Sequence, residues 1–114
     1  MKTEINVEYT IGYRSLIFSR MFYFDFVPFV GMVLTEDSGR LDLRLENGDM
    51  KSCDIFYNYD SNCFEVYIRT NWGKFGTSLE NMNDTIDMFK ELEWTIKSSE
   101  KEIDEMSSWI KNNY

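Results

Sequence analysis

Three features of this 114-residue chain predict an α+β fold, an antiparallel β-meander of about five to six strands packed on one face by a C-terminal helix. Apolar and polar residues alternate with period two through much of residues 1–70, as half-buried strands require. Clusters of Asn, Asp, Ser and Gly punctuate that alternation where turns are needed. From residue 77 the period lengthens to that of a helix: Met82, Ile86, Phe89, Leu92, Ile96, Ile103, Met106 and Ile110 fall on one stripe. At 13.7 kDa the chain reads as one domain (1–114), with an antiparallel sheet over 1–70, a loop over 71–76 and a helical segment over 77–114.

The first strand carries Ile5, Val7, Tyr9 and Ile11 in alternation, a pattern unlike a signal peptide. Ser15–Val27 and Phe29–Thr35 read as two more strands, with Pro28 marking a bend, bulge or edge. Phe22, Phe24 and Phe26 share one face and Met21, Tyr23 and Val27 the other, which predicts a central strand covered on both sides. One helical layer covers only one of those faces. The other is shielded by the loop Asn71–Phe75, which carries Trp72, or left for a partner. The run Leu16–Leu34 is apolar but contains Arg20, Asp25 and Pro28, and a charge at a bilayer centre costs about 2.5–3.5 kcal/mol. A soluble, cytoplasmic protein is expected.

Arg40–Glu46 alternates most cleanly, with Leu41, Leu43 and Leu45 on one face and charges on the other. Asn47-Gly48 follows as a hairpin signal. A three-residue loop, Glu46-Asn47-Gly48 with Gly48 left-handed, pairs Leu41 with Cys53 and keeps Ile55 and Tyr57 on the leucine face; a two-residue loop mixes polar groups into it. The next hairpin turns at Asp60-Ser61 and pairs Tyr57 with Phe64 and Ile55 with Val66. That register puts Cys53 and Cys63 on opposite faces, so both are expected as free thiols in a reducing compartment.

Thr77-Ser78-Leu79-Glu80 has the form of a capping box, and Asp84 offers a second start. A single helix over residues 83–112 would be about 45 Å long, against a domain diameter of roughly 35 Å. A break near Ser98-Ser99 resolves the overhang, because Ser99-Glu100-Lys101-Glu102 is another capping box. The competing resolution is a dimer that receives the overhang. On the same wheel Trp94 and Trp109 fall opposite the apolar stripe, beside Asp87, Glu91, Glu102 and Glu105. Tryptophan rimmed by carboxylates suits a basic partner with an apolar centre. The alternative is structural: Trp94 lies across the stems of Lys90 and Lys97, and Trp109 turns inward.

The chain contains no histidine, the side chain most used for proton transfer near neutral pH and for holding metals. Neither Cys53 nor Cys63 therefore has a histidine to form its thiolate. No Gly-rich phosphate loop, nucleophile elbow or C-x-x-C pair occurs. Twenty acidic residues against twelve basic ones, net −8, argue against nucleic acid and anionic membranes as partners. The excess is −3 over residues 1–76 (eleven acidic, eight basic) and −5 over 77–114 (nine acidic, four basic). Solubility alone accounts for a charge of this size, and attraction to a basic protein uses it equally well.

The expectation is a small acidic protein, not an enzyme, that needs no cofactor or metal and binds and blocks a larger, basic protein. Toxin-neutralising immunity proteins and phage anti-defence (anti-CRISPR) inhibitors work in this way. Its expected partner-binding residues are Trp94, Trp109, Asp87, Glu91, Glu102, Glu105 and Trp72. The alternatives are a self-associating module, such as a homodimer, and a small-ligand-binding domain that uses the aromatic sheet face.

Overall fold

Strands Lys2–Ile11 (β1) and Arg14–Tyr23 (β2) form a long antiparallel hairpin, closed where Ile11 pairs with Arg14. Gly12 turns it at φ +61, a conformation that a β-carbon disfavours. The structure is a computed structural model that describes residues 1–114, Phe75 through its backbone alone. After β2 the chain leaves the sheet to make a separate hairpin, Val33–Thr35 (β3) with Asp42–Arg44 (β4). It returns as Lys51–Asn58 (β5) and Cys63–Asn71 (β6), makes a short helix Trp72–Phe75 (α1), and continues into helix Leu79–Glu91 (α2). Thr95–Ile96 (β7) and helix Glu100–Asn113 (α3) complete it.

The fold is α+β, with a five-stranded, mostly antiparallel sheet in the order β5-β6-β1-β2-β7. It is not a meander. The excursion through β3 and β4 brings the β5–β6 hairpin back on the β1 side, where β6 pairs with β1 in parallel, Ile5 opposite Val66. Within β5–β6 the expected register holds, with Ile55 opposite Val66 and Tyr57 opposite Phe64, and both cysteines are free thiols. The expected pairing of Leu41 with Cys53 does not form. The leucine strand joins β3 instead, Leu34 opposite Leu43, because its leucines are needed over the core. Gly48 has no left-handed φ; Asn47 Oδ1 accepts from the Cys53 N–H at 2.9 Å, and Gly48 bridges to Lys51.

One face of the sheet carries Ile5, Val7, Ile11, Leu16, Phe18, Val66 and Ile68 into the core. Over it lie Met82, Ile86 and Phe89 of α2, Met106 and Ile110 of α3, and Leu41, Leu43 and Leu45 of the small hairpin. Phe18 and Phe89 stack with ring centroids 4.1 Å apart at its centre. The opposite face carries Phe56 and Tyr67 beside a lattice of polar groups: Lys97 donates to Glu4 and to the buried Asn6, and Arg69 donates to Glu8 and Asp54. That face is not shielded by Trp72. Residues expected to be a loop make the turn of helix α1, and Trp72 packs on the core side, stacked on Tyr9 at 4.4 Å. β2 lies inside the sheet, between β1 and β7, but β7 pairs with only two of its residues, and Met21 and Tyr23 are exposed rather than covered.

Helix α2 starts at Ser78, whose side chain accepts from the Asn81 N–H, one residue after the Thr77 start suggested by its sequence. It ends at Leu92, six residues before the expected break. Trp94 N–H donates to Phe89 C=O at 2.9 Å and Glu93 N–H to Lys90 C=O at 3.1 Å, the two bonds of a Schellman cap. Glu93 sits at φ +66 to allow them, and Trp94 packs edge-on against Phe89. A β-carbon in the left-handed region costs roughly 1–2 kcal/mol. Glu93→Gly is therefore expected to stabilise the fold by about 1 kcal/mol, read as a raised urea midpoint. A lowered midpoint contradicts this account of the cap. The second capping box forms as its sequence suggests: Ser99 Oγ accepts from Glu102 N–H, and Glu102 Oε1 accepts from Ser99 N–H.

The turn between β3 and β4 is gathered around one carboxylate. Glu36 accepts from the Ser38 hydroxyl and from the N–H groups of Ser38, Arg40 and Leu41. These bonds, the Ser38 hydroxyl first, hold its pKa down to about 2, against 4.5 for an ordinary glutamate. A depressed pKa adds stability that is present above pH 4.5 and is lost as pH falls toward about 2. Wild type is expected to lose more stability across that window than Glu36→Gln, as measured by urea melts at stepped pH. Parallel acid profiles for the two proteins contradict this.

Candidate interaction surface

Past Tyr23, alternation stops organising the chain. Phe24 N–H is tied to Met1 C=O at 2.8 Å, and Gly31 N–H to Leu45 C=O at 2.7 Å. The intervening segment therefore spans from the start of β1 to the chain entering β5. An aromatic ladder runs outward along it: Trp94 against Phe22 (5.8 Å), Phe22 on Phe24 (5.6 Å), Phe24 on Phe26 (5.0 Å). Its inner rungs are buried or half-buried, and Phe26 emerges into solvent. Val27, Phe29, Val30 and Val33 are exposed beside it in sequence, as is Tyr23 before it. Pro28 and Met32 are buried and pin the segment down. Six large apolar side chains are exposed within these eleven residues, Tyr23 to Val33.

A second surface forms where α3 passes the β1–β2 turn. Tyr13, which is 86% exposed, lies beside Arg14, whose guanidinium carbon is 4.5 Å from the Tyr13 ring and 5.6 Å from that of Trp109. Glu100, Asp104, Glu105 and Ser108 border the same open groove, of about 830 Å³.

No protein-family model, curated protein or solved structure matches the chain. The residues alone therefore carry the functional argument.

The structure separates the expected binding residues. Trp94 is 6% exposed and Trp72 5%, so neither ring is offered to a partner. The wheel put Trp94 on the outside because it continued the α2 period past Leu92, where the Schellman cap turns the ring inward. Trp109, Glu102 and Glu105 do come together near Tyr13 and Arg14. Glu102 is held by its cap, where bonds from the Ser99 backbone and hydroxyl lower its pKa. Asp87 is exposed on α2, and Glu91 makes an exposed ion pair with Arg40, a kind worth at most about 1 kcal/mol.

Burial, then the neighbouring Asp54, pushes the Cys53 thiol above its ordinary pKa, away from nucleophile chemistry. An apolar recess between the small hairpin, Phe22 and Trp94 encloses about 70 Å³, far below the roughly 300–1,000 Å³ of drug-sized ligand sites. Among the described residues no helix is long and apolar enough to cross a membrane.

Tyr23 and Val27 lie on the strand face that the sequence left open between cover and partner, with Pro28 marking the bend after them, whereas Phe29, Val30 and Val33 were expected inside a further strand.

Proposed function

We propose that this chain is a non-catalytic binding protein that covers and blocks a larger, basic protein. The observation that carries this reading is the exposed stretch Tyr23, Phe26, Val27, Phe29, Val30 and Val33. Interfaces concentrate their energy in apolar and aromatic anchors that displace water, and the stretch supplies several within eleven residues. The formal charge of −8 speeds encounter with a basic surface and disfavours acidic ones. The anchors thus lie at and beyond the end of β2, rather than on Trp94 and Trp109, and the helical carboxylates contribute to steering.

The test is a paired affinity purification from the native cell, wild type against Phe26→Ser/Phe29→Ser. Both rings are exposed, so the double variant should fold with little change in stability. A basic protein is expected to co-elute with wild type and to be reduced about tenfold or more with the variant, since losing one anchor typically costs over 1 kcal/mol. Equal recovery with both baits, or an acidic partner, counts against the proposal.

A further inference from the structure

The outer edge of β5 is half covered. Lys51 C=O accepts from Gly48 N–H at 2.8 Å, and Cys53 N–H donates to Asn47 Oδ1 at 2.9 Å, both on the side away from β6. Backbone polar groups alternate in direction along a strand, so Ile55 and Tyr57 turn their N–H and C=O to that same side. Among the described residues none pairs with them. Past Asp54 the usual protections of an edge are missing, since residues 55–58 contain neither proline nor a charged side chain. Ile55-Phe56-Tyr57 is uncharged, and Phe56 and Tyr57 are about half exposed.

We propose that two copies of this chain join through β5, antiparallel about a two-fold axis at Phe56, so that their five-stranded sheets continue as one. In that register Ile55 faces the partner's Tyr57 and exchanges both N–H···O=C bonds with it, once on each side of the axis. Phe56 meets the partner's Phe56 as a close pair between the hydrogen-bonded ones, an aromatic contact on the open sheet face.

Two observations favour a second copy as the occupant. The Asn47–Gly48 cover leaves a free edge too short for a long foreign strand, and its free groups are disposed symmetrically about Phe56, as a self-complementary contact requires. Charge selects the register as well. Centring on Phe56 sets Asp54 against the partner's Asn58, whereas centring on Asp54 would oppose two carboxylates and demand the Cys53 N–H that Asn47 already holds. This surface is separate from the Tyr23–Val33 stretch, so either proposal can fail alone.

Sedimentation of the full chain over a rising concentration series tests it. Wild type is expected to shift from 13.7 kDa toward twice that mass. Phe56→Lys, which sets like charges across the axis, is expected to weaken dimerisation about tenfold or more with an unchanged circular dichroism spectrum. Phe56→Cys is expected to give a disulfide-linked dimer on oxidation, because such pairs hold their α-carbons about 4.5 Å apart, inside the roughly 4.4–6.8 Å that a disulfide spans, and it carries the test should the lysine variant not fold. A wild type that stays monomeric overturns the proposal. So does a dimer that Phe56→Lys does not weaken or Phe56→Cys does not crosslink, or exchange protection at Ile55 and Tyr57 that appears only when another protein is added.

Discussion

Trp94→Ala is expected to lower unfolding stability by about 3–5 kcal/mol, the range for deleting a large buried aromatic. The ring is nearly inaccessible, sits edge-on to Phe89 at 5.2 Å and Phe22 at 5.8 Å, and forms the apolar contact of the α2 cap. Its removal opens a cavity beside the small hairpin and also weakens the cap. Trp109→Ala is the control. Trp109 touches Tyr114 and Arg14 at a half-exposed position, so its loss should cost well under half as much. Urea denaturation of both variants reads the contrast. Equal losses would mean that the two tryptophans do the same work, which the packing contradicts.

Ser98→Ala is expected to cost about 1–3 kcal/mol, the penalty of stranding a buried polar group. β7 covers β2 only at Phe18 and Ser19, and the edge beyond is finished by side chain and linker. Lys97 N–H donates to Ile17 C=O at 2.8 Å, Ile17 N–H donates to Ser98 Oγ at 2.9 Å, and that hydroxyl donates to Ser15 C=O at 3.2 Å. One buried hydroxyl thus satisfies two backbone groups and fixes the entry to α3. Faster amide exchange at Ile17, with a stability loss in that range, is the expected result. A loss under about 0.5 kcal/mol, the scatter of surface substitutions, contradicts the latch.

Local chemistry was legible in the sequence wherever a signal acts over a few residues. The Ser99–Glu102 capping box, the leucine face of residues 41–45 and the Tyr57–Phe64 register all form as their residues suggest. Long-range pairing was not legible. Nothing in Arg40–Glu46 distinguishes β3 from β5 as its neighbour, because both offer apolar residues at compatible spacing. The parallel contact of β6 with β1 likewise depends on how far the β3–β4 excursion carries the chain.

The end of α2 was hidden for a different reason. A left-handed cap ordinarily announces itself with glycine, and here Glu93 fills it, compensated by the Phe89–Trp94 contact. Leu92 and Ile96 keep the helical period on paper while the backbone has already turned. That single misread residue moved Trp94 from the core to the surface in the sequence-based expectation. Trp109, Glu102 and Glu105 stay together on α3 without it.

The most direct measurement is photo-crosslinking in the native cell, with a reactive phenylalanine analogue at Phe29 and, in a second protein, at Tyr13. The account predicts a covalent adduct with a larger, basic protein from Phe29, and little or none from Tyr13. An adduct from Tyr13 alone, or none from Phe29, would contradict it.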